Sequence, residues 1–232
     1  MKDWIRRLSF QSEFTIVVLG AFGLTLVSTV LAFAAPDLVL HGAPPLTNAR
    51  LLRTALFELV AGALLWQLLM LRAWTGAQLG LAPVSRSSRD FFTVPLIGVG
   101  LAVAAYAAYL VLVIVAANIS PDVIQQALSH HLVAAPIPIT TVILVVLINP
   151  VFEEVFVCGY VIASLRDRIG VANAINVSAG IRVACHLYQG VTGVLSIIPF
   201  ALIAAVWFAR KGRLGPLILA HALVDFLGLS LA

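Results

Sequence analysis

Acidic and imidazole side chains recur inside the apolar segments of this sequence. Glu153 and Glu154 are adjacent, while His221 and Asp225 are four residues apart and would share one face of a helix. A charge near the middle of a bilayer costs a few kcal/mol or more, so such residues usually face the bundle interior and mark a functional pathway or a pairing partner. The complete set within the segments is Glu58, Glu153, Glu154, Arg182, His186, His221 and Asp225. For Glu58 alone, simple pairing between helices is the better interpretation.

The adjacent glutamates indicate acid-base chemistry. Two carboxyl groups this close in a low dielectric do not both ionise easily, which leaves one as a base and the other protonated or paired. Because neighbouring residues on a helix point about 100° apart, both can border one cavity without superposing. Pro150 lies one turn earlier and removes a backbone donor, so we expect a kink there that opens the bundle to water.

Helices must bring these groups to one level. With a rise of 1.5 Å per residue, three groups fall near the middle of a membrane about 30 Å thick: the glutamate pair, His186, and the pair of His221 and Asp225. Of 232 residues, 62% are hydrophobic and 10% charged, far fewer charges than in a soluble domain. We therefore predict an all-α, polytopic transmembrane bundle of about seven helices, a single membrane domain over residues 1–232. The predicted spans are 14–35, 51–71, 91–117, 138–165, 171–187, 191–209 and 214–231.

Basic residues at the helix ends predict the orientation of the bundle. Eleven of the 14 Lys and Arg residues fall on one side of the predicted spans, and only Arg50 and Arg53 on the other. The positive-inside rule then places the N-terminus in the cytoplasm and the C-terminus outside. The net charge of +4 is explained by this clustering, so we infer no nucleic-acid partner. The predicted location is the cell membrane, with the lipid bilayer as surroundings.

Ser120 and Pro121 predict the start of a short surface helix toward His131.

The motif residues resemble the intramembrane endopeptidases that include type II CAAX prenyl proteases and bacteriocin-processing enzymes, in a bacterial or archaeal version. The first family motif, Glu-Glu followed by an aromatic, an arginine and a glycine, is similar to Glu153 through Gly159. The second, Phe-x-x-x-His, corresponds to Arg182 through His186, and the third, His-x-x-x-Asn or Asp, to His221 through Asp225. The resemblance covers about residues 138–232, the predicted catalytic helices.

Two positions depart from the family pattern. Cys158 replaces the arginine of the first motif, and Arg182 replaces the aromatic of the second. An arginine lost at one place and gained at another is consistent with an exchange that keeps one guanidinium near the carboxylates. We expect Arg182 to hold one of the glutamates ionised, with Glu58 as a second anchor. The departures are equally consistent with a relative that has lost activity.

The resemblance implies a division of roles. Glu153 with His186 would activate a water molecule that attacks the scissile carbonyl of a peptide or membrane-protein substrate. His221 and Asp225 would stabilise the oxyanion, while Glu154 would support the histidines. An ionised Asp225 would repel the oxyanion, so it must be protonated or must act by orienting His221. No cofactor is expected.

Three alternatives remain open. Zinc held by His186, His221 and Glu154 is chemically adequate for hydrolysis, although the usual His-Glu-x-x-His helix is absent. A catalytically inactive relative would bind membrane proteins without cutting them. A proton-coupled transporter also uses buried acids and histidines, but it predicts inverted repeats, which the sequence does not contain.

Overall fold

The computed structural model describes residues 2–34, 46–81, 88–128, 133 and 135–230. Apart from one isolated bridge between Leu46 and Val133, the regular structure of these residues is helical. The elements are α1 (Lys2–Arg6), α2 (Phe10–Phe33), α3 (Asn48–Leu71), α4 (Ser88–Ile119), α5 (Pro121–Leu128), α6 (Ile139–Glu153), a π-helical segment (Glu154–Tyr160), α7 (Val161–Ile169), α8 (Val171–His186), a 3₁₀ turn (Leu187–Gln189), α9 (Gly190–Lys211) and α10 (Gly215–Ser230). The predicted all-α architecture is confirmed.

Among the described residues, five helical stretches are long and apolar enough to cross a membrane: Phe10–Leu31, Asn48–Leu71, Phe92–Ile119, Ile139–Ile169 and Gly193–Lys211. The other two predicted spans are α8 and α10, each of 16 residues, which is below the length that crosses the hydrocarbon unaided. The chain is a multi-pass membrane protein. The cytoplasmic N-terminus stays a prediction. The short helix after Ser120 is present as α5, while His130 and His131 lie outside the described residues.

The centre of the bundle is the continuous stretch formed by α6, the π-helical segment and α7. Every residue of the π-helical segment is buried, as a central helix requires. Helix α3 packs against α6 on one side, α10 packs against α6 and α4, and α8 packs against both α7 and α9. The side chains that reach the π-helical segment therefore come from helices far apart in the sequence.

A distortion of the central helix follows Pro150 along the chain. Helix α6 continues through Pro150, and the irregularity begins four residues later, where the π-helical segment widens the backbone from Glu154 to Tyr160. A π-helix bonds each N–H to the carbonyl five residues back, and such segments occur frequently at functional sites. The π-helical segment is a distortion that the sequence did not predict, and the kink at Pro150 stays a prediction.

The loop between α3 and α4 packs against the backbone of the π-helical segment. A Cβ atom on Gly159 would lie 2.7 Å from the carbonyl oxygen of Leu79, so only glycine allows the two backbones to approach this closely. The N–H of Leu214, before α10, donates to the carbonyl of Gly80 at 3.0 Å. The glycine that ends the first motif is therefore required by backbone packing.

A buried carboxylate, Glu13, anchors the N-terminal helices to the end of the π-helical segment. Its Oε2 forms an ion pair with Nε of Arg72, and its Oε1 accepts hydrogen bonds from Trp74 Nε1–H at 2.9 Å and from the Tyr160 hydroxyl at 3.1 Å. Because Tyr160 ends the π-helical segment, this cluster ties α2 and the loop after α3 to the central helix.

Candidate active site

Glu154 lies at the centre of the motif residues and is completely buried. Its Oε1 atom is 2.7 Å from Nη1 of Arg182 on α8. The Nδ1–H of His221 on α10 donates to the same oxygen at 2.8 Å. A carboxylate that meets a guanidinium and an imidazole N–H in a low dielectric is strongly favoured in its charged form. The π-helical segment, α8 and α10 are thus joined through one oxygen atom of Glu154.

Arg182 has the ion pair that the sequence predicts. Its guanidinium is fully buried, lies 3.9 Å from Oε2 of Glu153, and stacks 5.1 Å above the ring of Phe200. The Nη2–H donates to Sγ of Cys158 at 3.7 Å, a weak contact. Arg182 therefore reaches the position from which the family arginine would extend, which supports the exchange between positions 158 and 182.

His221 is bordered by two carboxyl groups. While Nδ1 faces Glu154, Nε2 lies 3.5 Å from Oδ1 of Asp225, which is one helical turn further along α10. The Nδ2–H of Asn149, on α6, donates to the other Asp225 oxygen at 2.8 Å. Asp225 thus accepts a hydrogen bond on one oxygen and faces imidazole with the other, the arrangement of a group that orients His221.

Glu153 and His186 form the more accessible part of the cluster. The Glu153 side chain is 18% exposed, whereas that of its neighbour Glu154 is 0% exposed. One carboxyl group of the pair is therefore partly accessible and the other is buried. The Nδ1–H of His186 donates to the backbone carbonyl of Arg182 at 2.8 Å. In the neutral imidazole this hydrogen bond leaves the lone pair on Nε2, the form that can accept a proton from water.

Glu58 is a further buried carboxyl group near the motif residues. Among the described residues no direct ion pair joins Glu58 to Arg182, and the predicted role of Glu58 as a second anchor stays a prediction. Glu58 is 6% exposed, and its carboxyl group lies within electrostatic range of Glu153, His221 and Asp225. Glu58 is therefore an additional member of the carboxyl cluster, contributed by α3.

Asn149 and Glu13 are the polar residues whose contacts the sequence did not reveal. Asn149 is four residues before Glu153, a spacing that places both on one face of α6 and could have indicated its contact with the site. Glu13 lies in the first turn of α2, where an acidic residue is ordinary, so nothing in the sequence distinguishes it.

The described residues contain no group of three or more His, Cys, Asp and Glu side chains arranged to hold a metal ion. The zinc alternative, with His186, His221 and Glu154 as ligands, stays a prediction.

Comparison with protein families gives a match to the type II CAAX prenyl endopeptidase Rce1-like family over residues 135–227. Comparison with curated proteins and with solved structures gives no match. The matched region begins just before α6 and ends within α10, and it contains the Arg182, Glu154 and His221 contacts. The predicted resemblance to the intramembrane proteases is confirmed, and the region from α6 to α10 carries the family relationship. The class implies peptide substrates and embedding in a membrane.

Proposed function

We propose that this protein is an intramembrane endopeptidase that hydrolyses a peptide bond with a water molecule activated by Glu153 and His186. The observation that carries the proposal is the division of the glutamate pair. Arg182 and His221 engage Glu154 in the buried interior, and Glu153 keeps an 18% exposed carboxyl group that can take a proton. The residues named here, Glu153, Glu154, Arg182, His186 and His221, all lie within the family-matched region.

The remaining groups fit the transition state of amide hydrolysis. The protonated His221 imidazolium, held at Nδ1 by Glu154, carries an Nε2–H beside Asp225 that can also donate to a developing oxyanion. Asp225 assists by orienting His221, because a carboxylate in direct contact with the oxyanion would repel it. Glu154, kept charged by Arg182, fixes the imidazole from the other side.

Cys158 leaves an inactive relative as the competing function, and the Arg182 contacts weigh against it. The family arginine would supply a buried guanidinium beside the glutamates, and Arg182 supplies one from α8 at 2.7 Å. The electrostatic requirement is met although the motif is altered. The proposed location is the cell membrane of a bacterial or archaeal host.

Purified protein in lipid nanodiscs should cleave members of a peptide library that includes prenylated and unmodified peptides. Glu153→Gln should lower the cleavage rate by about a hundredfold or more, because glutamine keeps the volume but cannot accept the proton. Glu13→Gln is the matched control: it changes a buried glutamate outside the site and keeps a carbonyl oxygen for the Trp74 hydrogen bond. Equal rates for Glu153→Gln and the parent would remove Glu153 from the mechanism. Absence of cleavage by a well-folded parent would favour the inactive relative.

A further inference from the structure

Helix α3 brings a fourth carboxyl group to the site from outside the family-matched region. The buried positions Leu51, Ala55, Glu58, Leu65 and Leu69 form one face of α3. This face packs on α6: the ring of Phe57 is 6.4 Å from that of Phe152, and a Cβ atom on Gly62 would lie 3.2 Å from the same ring. Phe152 directly precedes Glu153. Glu58 therefore projects from the middle of the α3 face that meets the glutamate pair.

The charges of the cluster do not balance if all carboxyl groups ionise. The carboxyl groups are Glu58, Glu153, Glu154 and Asp225, whereas the cations are Arg182 and, when protonated, His221 and His186. Even with both imidazoles charged, the carboxyl groups exceed the cations by one. In a medium of low dielectric an excess charge is expensive, so at least one carboxyl group keeps its proton.

The contacts identify Glu58 as the group that keeps it. Glu154 and Asp225 have imidazole or guanidinium partners, and Glu153 has a nearby guanidinium and is 18% exposed. Glu58 is buried, has no ion pair among the described residues, and has Glu153 and Asp225 as like-charged neighbours. His221 is the nearby cation, and it is already shared by two carboxyl groups.

We propose that Glu58 is the proton donor for the leaving amine, a role that rests on the proposed peptidase function. Water gives one proton to the Glu153 carboxylate and adds its hydroxyl to the scissile carbonyl. When the C–N bond breaks, the nitrogen takes the Glu58 proton and the carbonyl re-forms as the new carboxylic acid. Glu153 then returns its proton to the Glu58 carboxylate, which restores both groups.

Leaving-group chemistry tests this role. Glu58→Gln should lower kcat for an amide substrate about a hundredfold or more, because the amine cannot leave without a proton. An ester with the same acyl part and a phenol leaving group needs no such proton, so its hydrolysis should change little. Glu58→Asp keeps an acidic proton and should recover part of the amide activity. Equal losses for amide and ester would show a structural role and overturn the proposal, as would an unchanged amide rate.

Infrared spectroscopy tests the proton independently of activity. A carboxylic acid has a C=O absorption that a carboxylate lacks, and we expect Glu58→Gln to remove such a band from the parent spectrum. Glu13→Gln, which removes a carboxylate paired with Arg72, should leave that band unchanged. If Glu58→Gln removes no acid band, Glu58 is ionised and the proposal is wrong. A parent that cleaves neither substrate refutes the peptidase function, while the infrared result still decides whether Glu58 carries the proton.

Discussion

Replacing Arg182 with phenylalanine removes the cation that faces Glu154. At the 2.7 Å separation, the attraction between the two charges is about 6 kcal/mol for an effective dielectric constant of about 20. Desolvation of both groups offsets much of this, but removing one partner leaves the other buried and unpaired, which typically costs about 3–5 kcal/mol. We expect Arg182→Phe to unfold at a clearly lower temperature and to lose peptidase activity, because an uncompensated Glu154 no longer holds His221.

The exchange Cys158→Arg with Arg182→Phe should recover both properties. The Arg182 guanidinium already contacts Cys158, so an arginine at position 158 would extend from the π-helical segment toward the same carboxylates. Phenylalanine at position 182 would restore the family aromatic and could pack on Phe200, over which the guanidinium now lies. Cys158→Ser with Arg182 intact is the control and should resemble the parent, since the thiol contact is weak.

Two assays measure these effects. Thermal unfolding in detergent, monitored as the loss of monodisperse protein, measures stability, and cleavage of a peptide substrate measures activity. Recovery by the exchange, together with the loss in Arg182→Phe alone, would establish that one guanidinium serves at either position. An exchange variant no better than Arg182→Phe, or a fully active Arg182→Phe, would refute the reasoning. The altered first motif would then indicate an inactive relative.

Three further outcomes are expected. His221→Ala, Asp225→Ala and the double variant should lower kcat by nearly equal factors, because the two groups act as a unit; factors that multiply would show independent roles. Gly159→Ala should lower the unfolding free energy by about 1–3 kcal/mol, because the added methyl group meets the Leu79 carbonyl. Gly180→Ala, whose added methyl group would have nothing within 4 Å, should instead stabilise α8 by up to about 1 kcal/mol in the same melting assay. Metal chelators should leave cleavage unchanged, and a loss reversed by zinc would support the zinc-dependent alternative.

The sequence by itself determined the class of protein and most of the residues that meet at the site. A long apolar run indicates directly that a helix is surrounded by lipid. A charge inside such a run is costly, so its presence indicates a partner or a functional site. The spacing of His221 and Asp225 likewise predicts a shared helical face, and the structure has them 3.5 Å apart. Their catalytic roles stay predictions, because neither composition nor geometry measures a rate.

Only the tertiary structure decided which partner each charge selects. Arg182 was within reach of three carboxyl groups by depth along the membrane, and the packing of α8 on α7 and α9 aims it at Glu154. Periodicity treats each helix as a regular cylinder, so it also missed the π-helical segment, whose extra width turns the residues after Glu153. Contacts between helices depend on how each helix is rotated about its axis and shifted along it. Long-range packing at residues such as Phe152 and Gly159 establishes this rotation and shift, and no local sequence pattern contains them.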